Sequence, residues 1–333
     1  MSNIGGSPVV ALGGGHGLAA SLAALRRITS DLTAVVTVAD DGGSSGRLRR
    51  ELGVLPPGDL RMALAALCDD DEWGQTWSRV VQHRFQGAGE LHGHSVGNLL
   101  IVALWEIVDA DPVAGLAWVA QLLKAKGTVL PMSTLPLEIS AEVEGADPSR
   151  PAERSMVRGQ VAVATTRGRI LDVYLAPSPP PACPQAVAAI HDAEWLVLGP
   201  GSWYTSVIPH LLVPDLAAAV FTTSARRCVV VNLEPQAGET AGFAPESHLE
   251  VLHRHAPDLT VDVVIADDEM IDDPSSLTAA AAALGARVVL APLRDSSGEA
   301  RHSPKRLAAA FRTAFERDAP AVSRTAYSGS DDE

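Results

Sequence analysis

Cysteine is scarce in this chain of 333 residues, and the three present, Cys68, Cys183 and Cys228, are far apart, odd in number and in no C-x-x-C pair. That excludes a disulfide framework and a paired-cysteine redox or zinc motif, and leaves the thiols as small buried apolar residues. Long apolar runs are missing too. No stretch reaches the roughly 18 uncharged apolar residues needed to span a bilayer, and the opening MSNIGGSPVV lacks the basic head and apolar body of a secretory signal. A cytoplasmic protein without membrane insertion is therefore expected. Basic charge is in deficit, 26 Lys and Arg against 40 Asp and Glu for a net −14, which argues against nonspecific nucleic-acid binding. No repeat at a fixed period is visible.

What is present is the rhythm of an α/β protein, a Rossmann-like and mostly parallel sheet flanked by helices. Residues 8–12 are apolar, Gly13 to Gly17 break the pattern, and Leu18, Leu22 and Leu25 return at helical spacing. A second strand over 32–39 runs into Asp40-Asp41-Gly42-Gly43, completing a β-α-β unit whose parallel strands end at one edge, where open α/β sheets bind ligands. Residues 59–126 read as helices. The stretch 129–176 shows short alternating runs, 138–143, 160–165 and 170–175, and predicts an antiparallel insertion or edge extension. Five prolines in 177–184 predict a stiff loop. Buried strands then follow at 195–198, 228–233, 261–266 and 287–291, with helices around 213–225, 244–255, 275–284 and 304–316. One domain over 1–317 and a flexible acidic tail over 318–333 are the expected organisation.

Four glycine-marked places carry chemistry. Gly13-Gly14-Gly15-His16-Gly17 lies where a strand feeds a helix, so backbone N–H groups face an anion with no side chain in the way. Leu18 stands where a dinucleotide fingerprint has its third glycine, which makes the match partial and leaves an NAD-type dinucleotide open. His16 fits either a phosphate or base contact or a turn cap. Asp40 and Asp41 follow the second strand, where a carboxylate reaches a ribose hydroxyl or a magnesium ion, and Gly42, Ser44, Ser45 and Arg47 supply a second anion loop. Asp59 reads as a helix N-cap; Arg61, in the first turn, opposes the helix dipole unless an anion is shared there. His83, His92 and His94 form no recognisable zinc spacing, while Ser95 or Asn98 at the next helix start suits a ligand contact. Finally Gly199-Pro200-Gly201-Ser202 repeats the first cradle. Its Trp203 and Tyr204 suit base stacking or core packing equally, and nothing around it orders a Ser-His-Asp relay.

VVALGGGHGL, AVVTVADDGGSSGRLR, PPGDLRMALAAL, GHSVGNLL, KGTVLP, LGPGSWYTSVIPHLLVP and GETAGF occur in this order between Pro8 and Phe311. With them the chain resembles the gluconeogenesis factor family (YvcK type), UDP-N-acetylglucosamine-binding proteins within the superfamily of 2-phospho-L-lactate transferases (CofD-like). The resemblance implies a nucleotide-sugar-binding regulator connected with cell shape and peptidoglycan synthesis, with no cofactor required. The ligand-lining motifs it carries over match Gly13 to Gly17, Asp40, Asp41, Asn98 and Gly199 to Ser202, and it sets Arg301 near the UDP-sugar. Many members have threonine in place of His16. Kinship to the transferases leaves a CofD-like transfer reaction, with magnesium, as the alternative, although the Asp40-Asp41-Gly42-Gly43 loop departs from their pattern. The resemblance also implies Ser/Thr kinases and cell-wall synthesis proteins as partners, with Thr325 in the tail as a phosphorylation candidate or part of an inert end. A homo-oligomer is compatible with all of this.

Overall fold

Short runs of valine, leucine and alanine without alternation suit strands covered on both faces. In a computed structural model, which describes residues 5–109, 111–236, 238–269, 271, 273–296, 299–316 and 322–324, such runs build the central sheet. In chain order the strands are β1 (Val9–Gly13), β2 (Leu32–Val36), β3 (Thr128–Pro131), β4 (Glu138–Glu144), β5 (Arg154–Arg158), β6 (Arg169–Ala176), β7 (Trp195–Leu198), β8 (Arg226–Val230), β9 (Val263–Asp267), β10 (Arg287–Ala291) and β11 (Val322–Arg324). Eight of them form one sheet in the order β11-β10-β9-β8-β7-β1-β2-β3, paired in parallel throughout. The helices that flank it are α1 (Gly15–Leu25), α2 (Gly43–Leu52), α3 (Gly58–Ala66), α4 (Glu72–Gln82), α5 (Val96–Ile107), α6 (Pro112–Leu123), α7 (Gln160–Ala164), α8 (Pro184–Asp192), α9 (Pro214–Thr222), α10 (Pro245–His255), α11 (Ser275–Ala283) and α12 (Pro304–Phe315).

The order of the strands fixes where a ligand can go. From β1 the chain first builds outward through β2 to β3, then returns to the other side of β1 and builds outward through β7 to β11. Val9 accordingly pairs with Leu32 on one flank and Trp195 on the other. The reversal leaves a crevice beyond the carboxyl ends of β1 and β7, the topological switch point of a doubly wound sheet. Core packing holds the two strands level: Trp195 stacks on Phe315 of α12 with ring centroids 4.1 Å apart, and the Arg226 guanidinium covers the same indole at 4.0 Å.

Three local expectations need correction. The antiparallel sheet, in the order β5-β4-β6, begins at Glu138; the preceding Thr128–Pro131 pairs with β2 at the edge of the main sheet. Residues 160–165 are not a strand, because 160–164 form the short helix α7. The expected tail contributes β11, which pairs with β10 through Val288↔Val322. Thr325 lies outside the described residues. Cys68, Cys183 and Cys228 are free and buried, as their scarcity predicted. Among the described residues no single helix is long and apolar enough to cross a membrane.

Candidate functional site

Two glycine turns meet at the switch point, and steric exclusion keeps side chains out of both. β1 ends at Gly13 and α1 begins at Gly15, whose φ of +58° is a left-handed conformation that favours glycine. At Gly14 an added Cβ would overlap Thr37 Cγ2 and sit 2.6 Å from Asp59 Oδ2. At Gly17 it would overlap the Pro200 carbonyl oxygen and lie 2.5 Å from Gly201 Cα, so the first turn presses directly on the second. Ser21 Oγ of α1 donates to the Gly199 carbonyl at 2.9 Å. Asn232, just past β8, pairs with the Gly201 peptide in both senses: Gly201 N–H donates to Oδ1 at 2.8 Å and Nδ2 donates to the Gly201 carbonyl at 2.9 Å. Gly14 has no side chain to cap the start of α1, and the Asp59 carboxyl reaches the Gly15 N–H there. The His16 and Gly17 amides and the positive end of the dipole are left to an anion.

A cleft of about 580 Å³ opens beside these turns, walled by His16 and Gly17 on one side and by Asn232, Gln236 and Arg301 on the other. Arg301 is exposed and ion-paired with Glu299 at 2.7 Å. Partial burial, then the positive charges of Arg301 and Arg61, lower the His16 pKa, which keeps the imidazole neutral at pH 7. Of the expected residues the structure thus brings His16, Gly17, Pro200, Gly201 and Arg301 to a single cleft, while Gly13, Gly14, Gly15 and Gly199 lie behind it in the turns.

The acidic loop after β2 lies on the opposite side of the first turn. Asp40 Oδ1 accepts the Gly42 N–H at 2.9 Å, and burial raises its pKa. Asp59 is not an N-cap, because α3 starts at Gly58 and the aspartate sits in its first turn. Its carboxyl points at the first glycine turn, where the Gly15 N–H meets it; burial and then the neighbouring Asp40 push its pKa up to about 7. Arg61, 4% exposed, supplies the countercharge, and burial brings its own pKa down to about 10. The cation that looked misplaced at a helix start shares Asp40 and Asp59. Its Nε donates to Asn98 Oδ1 at 2.9 Å, and Asn98 Nδ2 donates to Ser44 Oγ at 3.0 Å and Ser45 Oγ at 3.4 Å. Ser44, Ser45 and Asn98 are hence buried partners that lock α2, α3 and α5 together.

Other expected residues also meet protein groups. Asp41 accepts the Gln160 and Val161 N–H groups, both at 3.1 Å, and so caps α7 from a distant loop. Arg47 reaches the carbonyls of Glu90 and His92 at 3.1 and 2.8 Å. His94 Nδ1 bonds Ser44 Oγ at 3.1 Å, whereas His92 Nδ1 accepts the Gly87 N–H at 3.3 Å. Gly93-His94-Ser95-Val96-Gly97 has the spacing of a hydrolase nucleophile elbow. Ser95 is nevertheless fully buried, its hydroxyl donating to Val81 O at 2.8 Å. Trp203 and Tyr204 are core residues, and the Trp203 indole N–H donates to His248 O at 2.6 Å. Ser202 contacts Thr205 through its hydroxyl and starts the turn after β7.

Sequence reasoning missed Asn232 and Glu239. Glu239, 4% exposed, accepts the Trp203 N–H at 2.8 Å, and burial pushes its pKa up to about 7 against the hydrogen bonds from Ser202 and Trp203. Asn232 had a readable signal, a polar residue directly after a buried strand as at Asp40. Glu239 had only its place in GETAGF.

The chain matches the family model described as 2-phospho-L-lactate transferase CofD over residues 9–292. A Mycobacterium tuberculosis (strain H37Rv) protein named "Putative gluconeogenesis factor" is 53% identical over 313 residues, covering 93% of this chain and 91% of that one. The "Gluconeogenesis factor" of Bacillus subtilis (strain 168) is 36% identical over 271 residues, covering 81% and 82%. The crystal structure of a member of the UPF0052 family from Bacillus halodurans superposes with a TM-score of 0.81 at 33% identity, over 92% of this chain and 99% of that one. With the glycine turns at the switch point and likeness along nearly its whole length, the chain belongs to the CofD-like family and, within it, to the gluconeogenesis factors.

Proposed function

We propose that this protein binds a nucleotide sugar, UDP-N-acetylglucosamine or UDP-glucose, and acts as a cytoplasmic regulator linking growth on gluconeogenic carbon to cell shape and peptidoglycan synthesis. The observation that carries the binding reading is the start of α1 pressed against the Gly199–Gly201 turn, with Arg301 on the facing wall. Backbone amides and a guanidinium hold a diphosphate without cleaving it. The regulatory part rests on the relatives named gluconeogenesis factors. A Ser/Thr kinase acting at Thr325 and cell-wall synthesis proteins are the partners this reading implies. Titration calorimetry with the two UDP-sugars tests it, saturable binding without nucleotide turnover being the expected result. Absence of heat with either sugar, alongside binding of GDP or a deazaflavin, would overturn it.

A second reading, a CofD-like transferase, is favoured by one feature: two carboxylates with raised pKa values beside the cradle, Asp40 and Asp59. Magnesium takes one or two carboxylates together with substrate phosphates and waters, so these two aspartates would hold it, and the ion would supply charge to a phosphoryl oxygen. Chromatography of UDP-N-acetylglucosamine incubated with magnesium and a phosphorylated acceptor separates the readings. Release of UDP or UMP that disappears in Asp40→Asn and Asp59→Asn variants makes the chain an enzyme.

A further inference from the structure

Resting on the UDP-sugar reading above, we propose that the side-chain amide of Gln236 pairs with the edge of the nucleobase, its donor and acceptor meeting the O4 and N3–H of the uracil that this reading supplies. Apart from the imidazoles of His16 and His302, the other polar side chains of the cleft are already committed. Asn232 uses both amide atoms on the Gly201 peptide. Glu234 Oε1 holds Arg294 Nη1 at 2.9 Å, and Arg301 is paired with Glu299.

Gln236 differs in that its backbone is fixed and its side chain is not. Its N–H donates to Thr240 Oγ1 at 2.8 Å, and Thr240 is fully buried, which sets the loop. The half-buried side chain lines the cleft, and no hydrogen bond joins its amide to another described residue. Leu233, Pro235 and Pro200 supply apolar surface in the same cleft for the faces of a flat ring. A diphosphate at the start of α1 leaves this loop as the wall within reach of the nucleoside. There an amide offers one donor and one acceptor in one plane, matching the N3–H and O4 of uracil. A carboxylate offers acceptors only. It opposes O4 and suits the adjacent N1–H and N2–H of guanine instead.

The test is calorimetric titration of the full chain and its Gln236→Ala and Gln236→Glu variants with UDP, GDP and inorganic pyrophosphate. Two neutral hydrogen bonds predict that Gln236→Ala weakens UDP about tenfold relative to pyrophosphate. Gln236→Glu adds negative charge that disfavours every diphosphate, so the affinity ratio is the readout, and GDP over UDP should rise at least about tenfold. Unchanged ratios in both variants, with the wild-type chain still binding UDP, overturn the assignment of Gln236 and leave the nucleotide reading intact. A wild-type chain that binds neither UDP nor UDP-sugars overturns both.

Discussion

Replacing Gly17 with alanine sets two physical effects against each other at one atom. Gly17 lies inside α1, where helix propensity alone makes Gly→Ala stabilising by about 1 kcal/mol. The new methyl group, however, would overlap the Pro200 carbonyl oxygen and come within 2.5 Å of Gly201 Cα. These are backbone atoms, and no rotamer change relieves them. The second turn is also tied down, to Asn232 by two hydrogen bonds and to Ser21 through Gly199. Overpacking of this kind costs about 1–3 kcal/mol and outweighs the propensity gain, so net destabilisation of about 1–2 kcal/mol is expected. In a protein of this size that lowers Tm by a few degrees, at about 2–4 °C per kcal/mol. Because the strain is released by parting the two turns, UDP-sugar affinity should fall along with stability. Gly89→Ala, where an added Cβ meets nothing within 4 Å, is the control. Differential scanning fluorimetry with and without UDP-N-acetylglucosamine reads both effects. A Gly17→Ala Tm at or above wild type, with an undiminished ligand shift, refutes the argument that the turns are in steric register.

Asn232→Ala removes both hydrogen bonds to the Gly201 peptide and should cost about 1–3 kcal/mol, seen as a lower denaturation midpoint and weaker UDP-sugar binding; Asn232→Asp, which keeps only the acceptor, should fall between. Asp59 gives a pH signature. Its folded pKa of about 7 lies above the ordinary aspartate value of 3.8, so the folded state binds the proton more tightly and stability drops as pH rises between those values. Asp59→Asn should therefore raise Tm more at pH 8 than at pH 5, and an equal effect at both would remove the burial argument. Arg301→Ala, at an exposed side chain, should weaken UDP-sugar binding while leaving Tm within about a degree, since exposed ion pairs add little stability.

The parallel strands were legible because strands covered on both faces carry unbroken apolar runs, and β7 and β10 fall at the residues those runs predict. The first and fourth glycine turns were legible for a related reason: backbone that must approach another backbone leaves glycine at the contact. What escaped depends on partners remote in sequence. Residues 160–164 alternate like a strand, yet Asp41, 119 residues before Gln160, caps them as a helix. Asp59 looks like a local cap from its neighbours alone, whereas its carboxyl meets Gly15. Ser44 and Asn98 have the residue types of a ligand contact, but those hydroxyl and amide groups serve equally well to satisfy a buried arginine.

The contact between Gly17 and Gly201 also has a consequence for how the protein is made. Its cradle joins segments far apart in the chain, as the Ser21–Gly199 hydrogen bond spanning 178 residues shows. Contacts of such separation form late, because the loop-closure cost precedes their reward. During synthesis β1, α1 and β2 can pair as soon as they emerge, but their anion-ready turn has no second wall until β7 has been made and inserted on the far side of β1. On the nucleotide-sugar reading, affinity for the ligand would in this way report on completed topology. A nascent or truncated chain ending before Trp195 should have the first glycine turn and no binding site.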